Sequence, residues 1–440
     1  MGRPVTSALA VLALVVTAPR ATGDPQPAKL SKDPAIVLAE VIAHLDALAK
    51  EVSKIRGLPI KRRIPAEIVD KAELRARLVK MQTDTSRADT ASEGLALARW
   101  GMIPADTDYP RLLLDLDNDG IAGFYDPKAK RLAVSRSAGS DRDWAELVLA
   151  HEIDHGLQDQ SFDLDKLEKV PATEGDAAMA RHALVEGDGV VLMLEMLLAR
   201  KGRPIQWTPE LAVMLAKTMT SSDGDDAITR APLAVRETTL FPYREGFEFV
   251  ASLRRRQPWS AVDAAFRRPP RSTEQIMHPE RYVADDKPIP IAIALPPSLP
   301  GYVIAHSTVW GELGFDLFLR SHGVDVTVAS EAAAGWGGDR MVVLAKPGDK
   351  DPASAIGLAR LDWDSEADAI EALEASEHAL GAAAFGAAVE RGQNKTRWLG
   401  LDGTMTWVER RGPTTIFAIG VPLWAADALA TEAWTVTKRR

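Results

Sequence analysis

Apolar side chains recur every three or four positions along much of the first hundred residues. This spacing predicts helices over residues 34–56, and residues 65–99 repeat it with many charges between the apolar positions. From Tyr109 the pattern changes, because residues 111–135 alternate short apolar runs with turn-forming residues. That change predicts strands joined by tight turns at residues 118–120 and 126–128.

Two longer helices are predicted at the centre of the chain, over residues 144–162 and 174–200. Asp141 and Asp143 stand where an N-cap and an acidic first turn belong. Residues 287–300 are rich in proline and are predicted to form an extended linker. The elements predicted beyond it are a helix at 308–322, a glycine-rich turn at 335–340, strands at 340–345 and 356–362, a helix at 366–384, a hairpin of 404–410 with 414–421, and a helix at 422–433.

The first 23 residues have the pattern of a secretory signal. Arg3 precedes an apolar run at 8–18, and small residues follow at 21–23. This run is too short to span a bilayer comfortably, and no later stretch is long and apolar enough. We therefore expect a secreted, periplasmic or cell-envelope protein without a transmembrane segment once the signal is cleaved.

The predicted elements give an α+β fold and divide the chain into four parts. These parts are a signal at 1–23, an N-terminal helical segment at 24–105, a core at 106–286 and a C-terminal α+β region at 287–440. The net charge of −9 and the pI near 5.5 do not favour nucleic acid as a partner. The chain has no cysteine, which excludes disulfides, a cysteine nucleophile and cysteine-rich structural zinc sites.

The centre of the first long helix carries the H-E-x-x-H pattern at His151, Glu152 and His155. Helical spacing places the two histidines one turn apart on the same face, so both imidazoles can bind one metal ion. Glu152 would lie beside them as the general base that takes a proton from a water molecule. A catalytic zinc site needs three protein ligands, so one more must come from elsewhere.

Glu186 is the predicted third ligand. It lies in the middle of the second long and apolar helix, where a carboxylate is costly unless something neutralises it. His182, one turn earlier on the same face, is the rival ligand. Gln158, Asp159 and Asp188 are alternatives for hydrogen-bonding the ligand imidazoles, with nothing in the sequence to choose among them.

A second and weaker metal pattern lies in the region predicted to form strands. Asp115, Asp117, Asp119 and Asp126 have the spacing of the acidic ligands in an EF-hand loop, which predicts a calcium site. An EF-hand loop should follow a helix, whereas the flanks here are predicted to be strands. A polar hairpin without calcium is the alternative.

Six stretches together resemble the gluzincin group of zincin metallopeptidases, and more narrowly a set of little-characterised bacterial metallopeptidases. They are GFYDPKAKRLAV (123–134), HEIDHGLQDQSFDL (151–164), ALVEGDG (183–189), FPYREGFEFV (241–250), PPRSTEQIMHPERY (269–282) and AAGWGGDR (333–340). The resemblance implies a zincin-like catalytic core with zinc bound by His151, His155 and Glu186. Two departures are Gly156, where alanine is more usual, and Gly189, where a small apolar residue is more usual.

Tyr243 and His278 lie within the resembling stretches, and either could hydrogen-bond the oxyanion formed during amide hydrolysis. The alternatives are that Tyr243 packs in the core and that His278, before a proline, shapes a turn. We therefore expect an exported zinc metallopeptidase that acts on a peptide or protein. Two alternatives remain: a non-catalytic envelope protein with a zincin fold, and a metal-dependent hydrolase of non-peptide amides or esters.

Overall fold

The computed structural model describes residues 10–12, 33–81, 84–203, 205–220, 227–384 and 386–439. Apart from residues 10–12, the predicted signal at 1–23 lies outside the described residues. The helices are α1 Pro34–Ala43, α2 Leu45–Arg56, α3 Lys71–Met81, α4 Asp84–Arg99, α5 Tyr109–Gly120, α6 Arg142–Phe162, α7 Leu164–Leu167, α8 Gly175–Arg200, α9 Pro209–Thr220, α10 Ala227–Arg230, α11 Leu233–Arg256, α12 Ser260–Arg267, α13 Thr273–Met277, α14 Pro279–Val283, α15 Gly311–Ser321, α16 Val326–Ala333, α17 Glu366–Ala384 and α18 Leu423–Val436.

The strands form three sheets, so the fold is α+β as the sequence predicted. The strands are β1 Ala10–Leu12, β2 Ala66–Val69, β3 Ile121–Asp126, β4 Arg131–Ser135, β5 Ile291–Ile293, β6 Val303–Thr308, β7 Trp336–Ala345, β8 Ile356–Trp363, β9 Gly386–Gly392, β10 Lys395–Gly400, β11 Thr404–Arg411, β12 Thr414–Pro422 and β13 Thr437–Arg439.

The three sheets differ in size and in strand direction. One has the order β1-β3-β4-β2, in which only β2 and β4 are parallel, and β5 pairs with β13 in a separate antiparallel ribbon. The largest sheet is antiparallel throughout, with the order β6-β7-β8-β12-β11-β10-β9.

The prediction of strands from Tyr109 onward is wrong for the first twelve residues, which form α5. Tyr109, Leu112, Leu113 and Leu116 follow the spacing i, i+3, i+4, i+7, and they pack together in a small apolar cluster. The short apolar run in this stretch therefore belongs to one face of a helix. The strands predicted after it, β3 and β4, are confirmed.

The C-terminal elements agree closely with the sequence pattern. The predicted helix at 366–384 is α17, and the predicted hairpin is formed by β11 and β12. Strands β9 and β10 were missed, since β9 is an edge strand whose residues are mostly exposed and show no apolar alternation. The turn predicted at 335–340 is wrong, because β7 already begins at Trp336. The backbone packs tightly there, since a Cβ at Gly338 would lie 2.3 Å from the backbone oxygen of Ile289.

The large sheet is buried on both faces. Along β12, Ile416 and Ala418 belong to a core shared with α18, whereas Phe417 and Ile419 belong to the main core. Successive side chains of a strand point to opposite faces, so this alternation places helices on both sides of the sheet. The main core continues without a break from Leu38 on α1 to this sheet.

None of the helices in the described parts of the chain is both long and apolar enough to cross a membrane.

Candidate metal centre

Helix α6 carries the H-E-x-x-H residues through the interior of the molecule. Its N-cap is Asp141, as predicted, whose carboxylate accepts a hydrogen bond from the backbone N–H of Trp144 (2.8 Å). His151, Glu152 and His155 are at most 1% exposed. The helix is buried on most of its surface, so these polar side chains need partners from neighbouring elements.

Helix α8 supplies one of these partners, Glu186. Its Oε2 lies 3.0 Å from Nε2 of His151 and 3.6 Å from Nε2 of His155. One ligand atom from each of the three residues lies within 4.8 Å of the others, which is close enough for all three to hold one metal ion. The three residues that the sequence predicted as metal ligands are therefore brought together.

Two glycines of α8 allow this close approach. A Cβ at Gly189 would lie 2.6 Å from Cε1 of His151, so the absence of a side chain makes room for the imidazole. A Cβ at Gly187 would lie 2.1 Å from the backbone oxygen of Gly246 on α11. The two glycines thus allow α8 to contact both α6 and α11 at short range.

Gly156, the departure from the usual alanine, lies against Ile64. A Cβ there would meet the side chain of Ile64 at 2.5 Å. Glycine at this position therefore lets the segment before β2 pack directly on α6.

Gln158 fixes the orientation of the His155 ring. Its side-chain amide Nε2 donates to the carboxylates of Asp154 and Asp188, both at 3.0 Å. Because carboxylates accept, the amide oxygen must face His155, whose Nδ1–H then donates to Oε1 of Gln158 (3.0 Å). When the ring gives up its other proton, as metal binding requires, the lone pair of Nε2 lies on the side of Glu186.

Arg56 extends this network, and sequence reasoning missed it. Its Nε donates to both oxygens of Asp188 (2.8 and 3.0 Å), and one terminal nitrogen donates to Asp263 (2.8 Å). The guanidinium is fully buried and stacks over the ring of Trp259 at 4.4 Å. A signal was present in the sequence, because Arg56 continues the apolar stripe of α2 that contains Leu48 and Val52.

The cluster contains more acidic side chains than arginines. Glu152, Asp154, Glu186 and Asp188 are buried in it, and Arg56 lies close to Asp188 and Asp154. Burial raises the pKa of Glu152 to about 8, and the nearby imidazole of His155 opposes this shift. Burial would also raise the pKa of Glu186, yet the imidazoles of His155 and His151 hold it well below its usual range.

The same imbalance acts on the ligand imidazole. Burial lowers the pKa of His155, but the carboxylates of Glu186 and Glu152 outweigh burial and raise it to about 10. A proton on this ring or a cation bound between the ligands would therefore neutralise the same carboxylates.

Several atoms of the cluster have no hydrogen-bond partner among the described residues. They are Nε2 of His155, Oε1 of Glu186 and both carboxylate oxygens of Glu152. Buried polar atoms are rarely left unpaired, so Nε2 of His155 and Oε1 of Glu186 suit a bound cation, and the carboxylate of Glu152 suits a water molecule beside it. The donor set of two imidazoles and one carboxylate matches the ligands that zinc takes in catalytic sites.

The remaining predicted residues lie at different distances from this centre. His182 approaches it, with Nε2 4.0 Å from Oε1 of Glu186 and Nδ1 3.6 Å from Glu168, although it is not among the three closely spaced ligands. Asp159 pairs instead with the Tyr125 hydroxyl (2.8 Å) and with Lys130 (2.7 Å). Of the predicted alternatives, Gln158 is the residue that contacts a ligand imidazole.

Tyr243 is buried in the main core on α11. His278 lies between α13 and α14, and its Nε2 is 2.8 Å from Oε1 of the buried Glu312. That contact satisfies the imidazole within the protein. The oxyanion roles of Tyr243 and His278 stay predictions.

The four acids predicted to bind calcium do not form an EF-hand loop. Asp115 lies within α5, and the helical backbone continues to Gly120. Asp126 uses its carboxylate in the β3–β4 turn, where it accepts from the backbone N–H groups of Lys128 (2.8 Å) and Ala129 (2.9 Å). The side chains of Asp117 and Asp119 are outside the described part of the chain. The prediction of an EF-hand loop, on which the calcium site depended, is therefore wrong.

Comparison with known proteins gives one match. Residues 302–430 match a family model described as Domain of unknown function (DUF8575). The match covers less than a third of the chain and falls on the region from β6 to α18. No curated protein and no solved structure matches the chain.

Proposed function

We propose that this protein is an exported zinc metallopeptidase that hydrolyses peptide bonds. The observation that carries the proposal is the buried cluster in which His151, His155 and Glu186 present ligand atoms within 4.8 Å of one another. Glu152 adjoins this cluster on α6 with both carboxylate oxygens unpaired among the described residues. A purely structural metal would not need such a carboxylate.

Each residue of the cluster has a definite task in this proposal. His151, His155 and Glu186 would hold zinc, and Gln158 would keep Nε2 of His155 directed at it. Bound zinc would supply Lewis-acid chemistry, lowering the pKa of a water molecule and polarising the scissile carbonyl group. Glu152 would take the proton from that water and deliver it to the leaving amine.

The surroundings of α6 support a peptide as the substrate. The β3–β4 hairpin lies beside α6, and β1 pairs with β3 at its outer edge. β1 belongs to the predicted signal, so cleavage of that signal would free the edge of β3. A free edge strand can pair with the extended backbone of a peptide. We therefore propose that this sheet, α6 and α8 form a zincin-like core.

The test measures zinc content and peptide hydrolysis in the same preparations. We expect about one zinc ion per chain in the wild type and in Glu152→Gln, and loss of zinc in Glu186→Ala. Glu152→Gln should lower the hydrolysis rate by about 10²-fold or more, because the general base is removed while the ligands remain. His44→Ala, which changes an exposed histidine hydrogen-bonded to the backbone of its own segment, is the control.

Four results would contradict the proposal. Zinc retained by Glu186→Ala would mean a different ligand set. Hydrolysis that is unchanged in Glu152→Gln would exclude this residue as the base. Zinc bound without hydrolysis of any peptide in a broad library would favour a non-catalytic envelope protein, whereas activity confined to esters or non-peptide amides would favour the other alternative.

A further inference from the structure

A cavity of about 300 Å³ adjoins the metal centre. It lies between α4, α5, α8, α11, α15 and β6, and its rim includes the exposed Pro171 and Ala172. His182 lines the cavity and also lies 4.0 Å from Oε1 of Glu186. The cavity therefore leads from the surface to His182, whose side chain borders the metal ligands.

The cavity combines a largely apolar wall with several acids. Leu97, Met102, Met179, Leu313 and Met341 contribute to the apolar wall. Asp89, Glu93, Glu168 and Asp176 also line it, and its described lining contains no lysine or arginine. Such a wall suits a ligand with an apolar stem and a positively charged end.

The histidines do not balance these acids. Burial lowers the pKa of His306 to about 4, so this ring is neutral near pH 7. The imidazole of His182 is already placed between Glu168 and Glu186, at 3.6 and 4.0 Å.

Asp176 has one oxygen held by the protein and one without a partner. Its Oδ1 accepts from the backbone N–H (3.0 Å) and the hydroxyl (2.6 Å) of Thr273. The residue is 3% exposed, and Oδ2 has no hydrogen-bond partner among the described residues. Oδ2 of Asp89 is also buried without a hydrogen-bond partner among the described residues, whereas Oε1 of Glu168 lies 3.6 Å from Nδ1 of His182. A buried carboxylate without a partner is costly, and a cation in the cavity would relieve that cost.

Glu93 lies open to the cavity. Partial desolvation at this position raises its pKa to about 7, although a hydrogen bond from Tyr109 opposes the shift. Asp176 behaves similarly, since burial raises its pKa to about 7 against the hydrogen bonds from Thr273.

We infer that this cavity binds a positively charged nitrogen on an apolar stem, carried by the peptide whose neighbouring bond is cleaved. The nitrogen is either the ammonium or guanidinium group of a lysine or arginine side chain, or the terminal ammonium of the peptide. The inference rests on the proposed peptidase function, because His182 links the cavity to the metal centre. A metal ion is a poorer occupant, since within the described residues only His151, His155 and Glu186 are spaced to hold one.

Calorimetric binding to the zinc-loaded full chain tests the inference with three small amides. Nα-acetyl-lysine amide carries a side-chain cation, norleucine amide carries only a terminal ammonium, and Nα-acetyl-norleucine amide is neutral with a similar stem. We expect at least one cationic compound to bind about tenfold more tightly than the neutral one, because a hydrogen bond to a charged group is gained. The compound that shows the preference identifies which nitrogen is recognised.

Two variants and one control locate the effect. Asp176→Asn and Glu93→Gln each preserve side-chain size and should remove most of the preference for the cation. Glu245→Gln is the matched control, because Glu245 is also a carboxylate whose pKa burial raises to about 7, but it lines a different pocket. Having two variants keeps the test decisive if one of them fails to fold.

The preference should also depend on pH. Ionised Glu93 and Asp176 favour a cation, so with pKa values near 7 the affinity for Nα-acetyl-lysine amide should rise between about pH 6 and pH 8. The titratable groups near these two acids are Asp89 and Tyr109 around Glu93, Asp339 and Glu312 around Asp176, and Glu168, His182 and His306 on the cavity wall. Asp176 also borders a second pocket that is lined by Arg181, Arg271 and Arg340. The neutral amide should show no such rise.

The outcomes separate this inference from the proposed function. Equal affinity for the cationic and neutral amides, or a preference that survives both variants, would overturn the cation site. Peptide hydrolysis without preference for a cation next to the cleaved bond would overturn it too, while leaving the peptidase proposal intact. A cation preference in binding without any hydrolysis would instead overturn the proposed function and leave the cation site standing.

Discussion

The surroundings of α6 and α8 differ from the large C-terminal sheet in how their buried acidic side chains are paired. Around α6 and α8, atoms of His151, Glu152, Asp154, His155 and Glu186 are buried without a partner among the described residues. In the sheet, Asp339 accepts from the backbone N–H groups of Trp310 and Gly311, both at 2.9 Å. Asp362 is likewise paired, with Arg360 and Arg439.

This difference agrees with the proposal that the first region binds a metal ion, whereas the sheet mainly stabilises the fold. Unpaired buried groups lower the stability of a fold, so a protein keeps them where they bind something. The sheet instead buries apolar residues on both faces, such as Ile416 and Phe417 of β12. Substitutions in the two regions should therefore differ in their effect on zinc as well as on stability.

The largest effect is expected for Arg56→Met, which leaves Asp188 and Asp154 buried without their cation. The free energy of unfolding should fall by about 3–5 kcal/mol, as for other broken buried ion pairs. Zinc affinity should fall as well, because Gln158 would lose the fixed position that orients His155. Urea unfolding and zinc titration at pH 7 would measure the two effects.

Arg63→Met is the control for this change. Arg63 also pairs with an aspartate, Asp46, but both side chains are well exposed. The substitution should lower the free energy of unfolding by less than about 1 kcal/mol and leave zinc binding unchanged. If the two arginine variants lose the same free energy of unfolding, the buried charges around Asp188 do not contribute to stability as described.

A smaller effect is expected for Gly187→Ala on α8. The new Cβ would lie 2.1 Å from the backbone oxygen of Gly246, so α8 and α11 must move apart, and the neighbouring Glu186 must move with them. We expect a loss of about 1–3 kcal/mol in unfolding free energy together with weaker zinc binding.

Gly381→Ala on α17 provides the matched change on the sheet side. There the new Cβ meets only the side chain of Trp398, at 3.2 Å from Nε1. The gain of about 1 kcal/mol in helix propensity offsets this contact, so stability should change little and zinc binding should not change. A loss of zinc affinity in Gly381→Ala would show that the two regions are coupled.

The smallest effect is expected for Ile416→Val on β12, which removes one methylene group from a fully buried position. The unfolding free energy should fall by about 0.5–1.5 kcal/mol. Zinc content and affinity should match those of the wild type, because the change lies in the apolar core between the sheet and α18. Reduced zinc content would mean that the sheet helps to shape the metal centre.

Sequence reasoning succeeded wherever the signal lay within one element. The pattern over residues 366–384 predicted α17 with its correct bounds, and Asp141 was identified as the N-cap of α6. It failed over Tyr109–Gly120, where four apolar residues of a helix face were interpreted as strand. It also missed the edge strand β9, because an exposed strand has no apolar alternation.

The sequence by itself determined which residues can hold a metal, because helical geometry fixes the spacing of His151 and His155 within α6. Glu186 was also predictable, as a carboxylate in an apolar helix. Only the tertiary structure decided the role of Arg56, which meets Asp188 across 132 positions of the chain. The same holds for the cavity beside His182, whose acids come from separate helices and loops. Contacts between distant segments depend on how helices pack, and no local pattern encodes that packing.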